Sequence, residues 1–184
     1  MTKSPEPKNK LSLLKNLSFL IETIYIIIII VITIMILLDI IDTGFFVGQL
    51  RFSHWMGIFG AIFMLVFPPI FYILKRRRPN QYKIWMNIHI FGFTTSFLLV
   101  SIHIGGQLSR PLPFYPDLGG GLALYIIVAL LVATGYLQRY RPIRLKGKDK
   151  PQSHIHKSLH IGLLSGLYIV LIVHFVINWI NTFN

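Results

Sequence analysis

The sequence predicts an all-α integral membrane bundle of five transmembrane helices, and three observations carry that reading. Apolar residues make up 54% of the 184 positions and charged residues only 13%, about half the charged share of an ordinary soluble domain. The apolar residues are gathered into five long runs, and the basic residues stand between those runs, mostly on one side. An aromatic share of 14% excludes a disordered chain, which needs low hydrophobicity. The absence of cysteine excludes disulfides, thiolate metal sites, Cys-bound iron–sulfur clusters and covalently attached c-type haem.

A hydrocarbon core about 30 Å thick is crossed by roughly 20 apolar residues in a helix. The first run covers about 17–38 and is built on the Ile-rich stretch from Ile21 to Leu38. It is too long for a secretory signal and no small-residue cleavage site follows it, so it reads as a retained signal anchor. The second covers about 55–74, where Pro68 and Pro69 are expected to bend the inner half. The third covers about 84–104, the fourth about 120–138 and the fifth about 158–180. The connections are short and polar, and the longest, roughly 139–157, is strongly basic. A single membrane domain, 1–184, accounts for the whole sequence.

Loop charge orients the bundle. The N-terminal tail, the 75–83 connection and the 139–157 connection hold sixteen of the 18 Lys and Arg residues, leaving Arg51 and Arg110 for the opposite face. Cytoplasmic loops carry the basic excess, which predicts a multi-pass protein of the cell (plasma) membrane with its N-terminus cytoplasmic and its C-terminus outside. The formal charge of +12 is then topology and attraction to membrane lipid, and no nucleic-acid partner is expected.

Four of the seven histidines lie inside the runs: His89 and His103 on the third, His160 and His174 on the fifth. Ionisable residues at membrane depth are costly and usually functional. Both pairs are fourteen residues apart. That spacing returns the second side chain to within roughly 40° of the first, about 21 Å further along the helix. The third and fifth helices run parallel, so His89 is expected level with His160 on the inner side and His103 level with His174 on the outer side. Non-covalent b-type haem needs strong axial donors from two sides, and neutral imidazole supplies them. The pattern therefore predicts two hexacoordinate b haems (heme b) between the third and fifth helices, with the four histidines as iron ligands.

Glycines and cations complete the expectation. Gly121 and Gly135 on the fourth helix are also fourteen apart and are expected near the outer and inner haem, where a flat porphyrin needs bare helix surface. Gly92, Gly162 and Gly166 lie within two turns of the ligands, and Gly57 and Gly60 sit on the second helix; ordinary small-residue packing explains such glycines equally well. Arg110 and Arg51 outside, and Arg139, Arg141, Lys157 and the 75–83 cluster inside, are candidates for the haem propionates. Thr94, Ser101 and Ser165, or carbonyls one turn back, are candidates to orient the imidazoles. His54 is open to three readings: interfacial residue, propionate partner or part of a quinone pocket. His154, His156 and His160 in the tract HIHKSLH read mainly as a basic loop, with a peripheral metal site the alternative. Glu22 reads as interfacial, with a proton pathway the alternative.

Paired histidines fourteen apart on two helices with one helix between them resemble the transmembrane domain of the ferric reductase and NADPH oxidase superfamily. They are also similar to the haem-bearing half of the cytochrome b subunit of quinol–cytochrome c reductases. The resemblance covers roughly 54–180. It implies an electron-transfer subunit of an oxidoreductase complex, with redox partner subunits on one or both faces and quinone as a candidate partner. The chain departs from those families in having five helices rather than six, no flavin–nicotinamide domain and no Pro-Glu-Trp-Tyr tetrapeptide; oxidases of the group also commonly have one residue fewer between the second pair. The competing function is a small haem-free transporter or channel whose histidines line a proton or metal path. A pure assembly or anchor subunit leaves the equal spacings unexplained.

Overall fold

The computed structural model describes residues 17–110, 119–140 and 151–183. The helices are α1 (Leu17–Leu37), α2 (Phe52–Arg77), α3 (Tyr82–Leu108), α4 (Gly119–Tyr140) and α5 (Pro151–Phe183). Among the described residues, five helices are long and apolar enough to cross a membrane. The protein is an all-α multi-pass bundle, as its hydropathy predicts. The ends differ by a few residues: α2 and α3 are longer at both ends than their apolar runs, and α5 begins at Pro151 within the basic connection. Polar residues flanking a span extend the helix into the interface, where water can satisfy the terminal carbonyls and amides. α2 stays continuous through Pro68 and Pro69.

The first connection contains structure that hydropathy does not foretell. α1 ends with Asp39 at φ 55°, while the Ile40 amide donates to the Met35 carbonyl and the Asp39 amide to that of Ile36. This is the left-handed cap that satisfies the last carbonyls of a helix. Asp42 Oδ1 then accepts from the Gly44 amide at 2.7 Å. A two-stranded antiparallel hairpin follows, β1 (Phe46–Val47) with β2 (Leu50–Arg51), turning at Gly48 with φ 65°. Trp55 Nε1 donates to the Val47 carbonyl at 2.9 Å and pins the hairpin to α2.

α3 is the axis of the bundle, packing against α1, α2 and α4, while α5 packs mainly on α4. The shared core is Ile29, Met64, Phe93, Phe97, Val100, Leu124, Val128, Leu131, Val132, Leu167 and Leu171. Only a narrow stripe of α1 is buried, at Glu22, Ile29 and Ile36, and most of its other isoleucines are roughly half exposed. A helix apolar all round and open on most sides suits lipid as its solvent.

The α2–α3 contact is close because one side chain is missing at each crossing point. A Cβ built on Gly60 would lie 2.7 Å from Val100, and one on Gly106 would lie 2.6 Å from Ser53. Ser96 Oγ donates to the Gly60 carbonyl at 2.7 Å, so the same contact buries a satisfied polar pair. Gly92 belongs to this seam too. Its missing side chain is replaced by the Phe67 ring, 2.8 Å from an ideal Cβ, in line with the small-residue packing reading of this glycine. Gly60→Leu should destabilise the detergent-solubilised protein by about 1–3 kcal/mol through overpacking. Gly162→Ala, where a Cβ meets nothing, should be neutral or gain up to about 1 kcal/mol of helix stability. Unfolding midpoints of the two variants check both.

Candidate functional site

Hydrogen bonds between helices set the depth of each histidine. Arg139 Nη2 donates to Asn87 Oδ1 at 2.8 Å, and Ser101 Oγ donates to the Tyr125 hydroxyl at 3.3 Å. These two contacts fix α3 antiparallel to α4. The Thr134 hydroxyl meets His160 Nδ1 at 2.9 Å, and an ideal Cβ on Gly121 would lie 3.5 Å from His174 Cε1. These fix α5 against the same helix. In that register His89 and His160 share a level to within about one helical turn, or roughly 5 Å, and so do His103 and His174. The backbones of α3 and α5 do not pack closely on one another among the described residues, so the facing histidines belong to helices held apart.

The tautomers follow from bonding. His103 Nδ1 lies 2.9 Å from the Ser53 carbonyl, and a carbonyl can only accept, so Nδ1 carries the proton and Nε2 keeps its lone pair. Gly57 makes this possible, because a Cβ there would stand 2.8 Å from Cγ and Nδ1 of the same ring. At His160 the Thr134 hydroxyl lies 2.9 Å from Nδ1 and 2.8 Å and 3.1 Å from the Leu130 and Leu131 carbonyls of its own helix. With the hydroxyl proton on a carbonyl, His160 Nδ1–H donates to Thr134 and Nε2 keeps its lone pair. A ring held through Nδ1–H with Nε2 exposed is the arrangement that metal-ligating histidines use.

The orienting groups are not the ones expected from sequence. Thr94 donates to its own helix at the Ile90 carbonyl, Ser165 to the Ile161 carbonyl, and Ser101 to Tyr125. Ser53 and Thr134, from α2 and α4, take their place. Gly135 lies beside His160, with an ideal Cβ 3.6 Å from Cε1, and Gly121 beside His174. Each expected glycine is thus at the expected level and abuts the histidine ring. Gly162 and Gly166 border open space.

Among the described residues, buried polar atoms without a partner fall into two groups. At the inner level they are His89 Nδ1, Trp85 Nε1 and Arg139 Nη1; at the outer level they are His54 Nδ1, Arg110 Nε, Gln107 Nε2 and the Thr43 and Ser53 hydroxyls. Between the levels the core is aliphatic and aromatic, and the buried hydroxyls there, Thr94 and Ser96, are spent on carbonyls. Most of the unpartnered atoms are donors. They suit an acceptor-rich ligand at each histidine level.

At the outer level the His54 ring stands edge-on to His103, with centroids 5.7 Å apart, and it interacts with Arg110 and Arg51. Neither arginine is paired with a carboxylate among the described residues. Burial first, and the Arg51 guanidinium second, push Arg110 below its ordinary proton affinity, and an anion would relieve both costs. At the inner level the Phe71 ring stacks on His89, 4.6 Å between centroids. Glu22, read from sequence as interfacial, is covered by its neighbours and only 2% exposed. The side chains of His154 and His156, and all of Arg141, lie outside the described residues. No cluster of three or more metal-ligating side chains occurs among the described residues.

Comparison with protein-family models, curated proteins and solved structures finds no match for this chain. The level assignment is testable directly, because the sequence has no cysteine. His89→Cys with His160→Cys, and His103→Cys with His174→Cys, should be bridged by a bifunctional thiol reagent shorter than the roughly 21 Å rise between levels. The crossed pairs, 89 with 174 and 103 with 160, should not. Equal bridging of all four pairs would refute the two-level arrangement.

Proposed function

We propose that this chain is a membrane dihaem b-type cytochrome that carries electrons across the bilayer as a subunit of an oxidoreductase complex. His89 and His160 would hold the inner haem, and His103 and His174 the outer haem. The observation that carries this reading is the hold on His103 and His160: one ring at each level is bonded through Nδ1 to a group on another helix, at Ser53 and Thr134, which leaves Nε2 as the nitrogen for iron. The unpartnered donors at both levels fit the carboxylates of haem propionates, with Arg110 and Arg51 suited to the outer group and Arg139 to the inner one.

When bound, each haem would supply a one-electron ferric–ferrous couple. The protein's own contribution is orientation and insulation. Ser53 and Thr134 fix ring direction and raise the basicity of Nε2. The apolar core between the levels, from Phe93 and Phe97 to Leu131 and Leu167, keeps water and protons out of the span. That apolar middle also argues against the transporter reading, which needs polar groups lining a continuous path. The N-terminus is placed in the cytoplasm by loop charge, and the donor and acceptor are redox partner subunits, with a quinol as the candidate reductant.

The purified chain should show a low-spin b-type spectrum with about two haems per polypeptide, and replacing His103 or His174 should halve that content. A chain that folds and inserts without binding haem would end the proposal. Orientation is checked separately. A cysteine introduced as Arg78→Cys should react with an impermeant thiol reagent only from the cytoplasmic side, and Gly48→Cys only from the outside.

A further inference from the structure

Glu22 is the one carboxylate buried within the described spans, and the site above makes no use of it. The Tyr140 hydroxyl donates to its Oε2 at 2.7 Å. One residue along α1, Thr23 Oγ1 meets the Tyr136 hydroxyl at 2.6 Å. Phe19 closes the cluster, its ring packed on Tyr136 and Tyr140 at 5.8 Å and 5.1 Å. The titratable and charged groups facing the carboxyl are Tyr140 and Arg139 of α4, with Tyr136 beside them; α3 presents none that interacts with it among the described residues. Arg139 is the link to the histidines. It attracts Glu22, sits over the Tyr140 ring at 5.1 Å and holds Asn87, two residues from His89.

This geometry has a chemical consequence. A carboxyl with a single phenol donor is poorly solvated as an anion, and Arg139 is its nearest countercharge, shared with the inner histidine level. Negative charge added at that level would compete for Arg139 and favour the neutral acid. Glu22 also lies only about one and a half turns from the cytoplasmic end of α1, and Tyr140 is the last residue of α4, so protons need cross little protein to arrive.

Resting on the dihaem reading, we infer that Glu22 is a redox-linked proton site of the inner level. One electron from a quinol-class donor or from dithionite converts the inner ferric iron to ferrous. One proton from the cytoplasmic side converts the Glu22 carboxylate to the acid, and both leave together on reoxidation. The inner level thus gains no net charge. The outer level has no buried carboxylate among the described residues and is not expected to share this behaviour.

The test uses the full chain in lipid vesicles, reduced with dithionite. The infrared difference between reduced and oxidised protein should contain a protonated-carboxyl C=O band that Glu22→Gln removes. Tyr140→Phe, which keeps the carboxyl, should move the band without abolishing it, and it serves equally if the Gln variant does not fold. The inner midpoint potential should fall as pH rises, by up to about 59 mV for each tenfold drop in proton concentration. Glu22→Gln should flatten that slope and leave the outer potential unchanged. A haem-loaded protein with no carboxyl band, or with the same slope in both forms, overturns the inference while the dihaem reading stands. Absence of haem overturns the dihaem reading instead.

Discussion

Hydrocarbon offers a polar group no partner, so every donor and acceptor inside the span must be satisfied by the protein or by something the protein binds. That constraint organises this bundle. The hydroxyls of Thr23, Thr33, Thr94, Thr95 and Ser165 are turned back or shared within a turn of backbone, and Ser96 reaches across to α2. Among the described residues, the unsatisfied groups lie at the two histidine levels. Buried nitrogen without a partner is thus concentrated at the depths that carry paired imidazoles, where a ligand would meet it.

Packing serves the same end. The tight seam of α2 on α3 depends on Gly60, Gly92 and Gly106, and it delivers the Ser53 carbonyl to His103. The contact of α4 on α5 delivers Thr134 to His160. Each of these groups therefore comes from a helix packed firmly against the histidine's own. α3 and α5, which carry the four histidines, do not pack closely on one another among the described residues. Rings held from firmly packed neighbours are preorganised in the way that a binding site needs.

The five spans were legible because hydropathy over 20 residues is an additive property that tertiary structure does not override. The equal spacing of the histidines was legible for a similar reason, since a helix converts sequence separation directly into angle and rise. The same reasoning placed Gly121 and Gly135 at their levels. The orienting residues were not legible. Ser53 and Thr134 lie 50 and 26 positions from their histidines, and only packing reveals that they meet. The burial of Glu22 was not legible either, because the sequence gives its distance from a helix end but not the neighbour that covers it, here Tyr140. The Phe46–Arg51 hairpin escaped because strands of two residues have no alternation to detect.

α4 touches both members of the α5 pair and is tied to α3 at Tyr125 and Arg139, so it works as the gauge from which both heights are measured. Inserting or deleting a single residue between Gly121 and Thr134 would rotate one end by about 100° against the other. One contact would then be kept only by losing its twin. Evolution is free to lengthen the loops of such a protein, but the interval within this helix is as fixed as the distance between two bearings on a shaft.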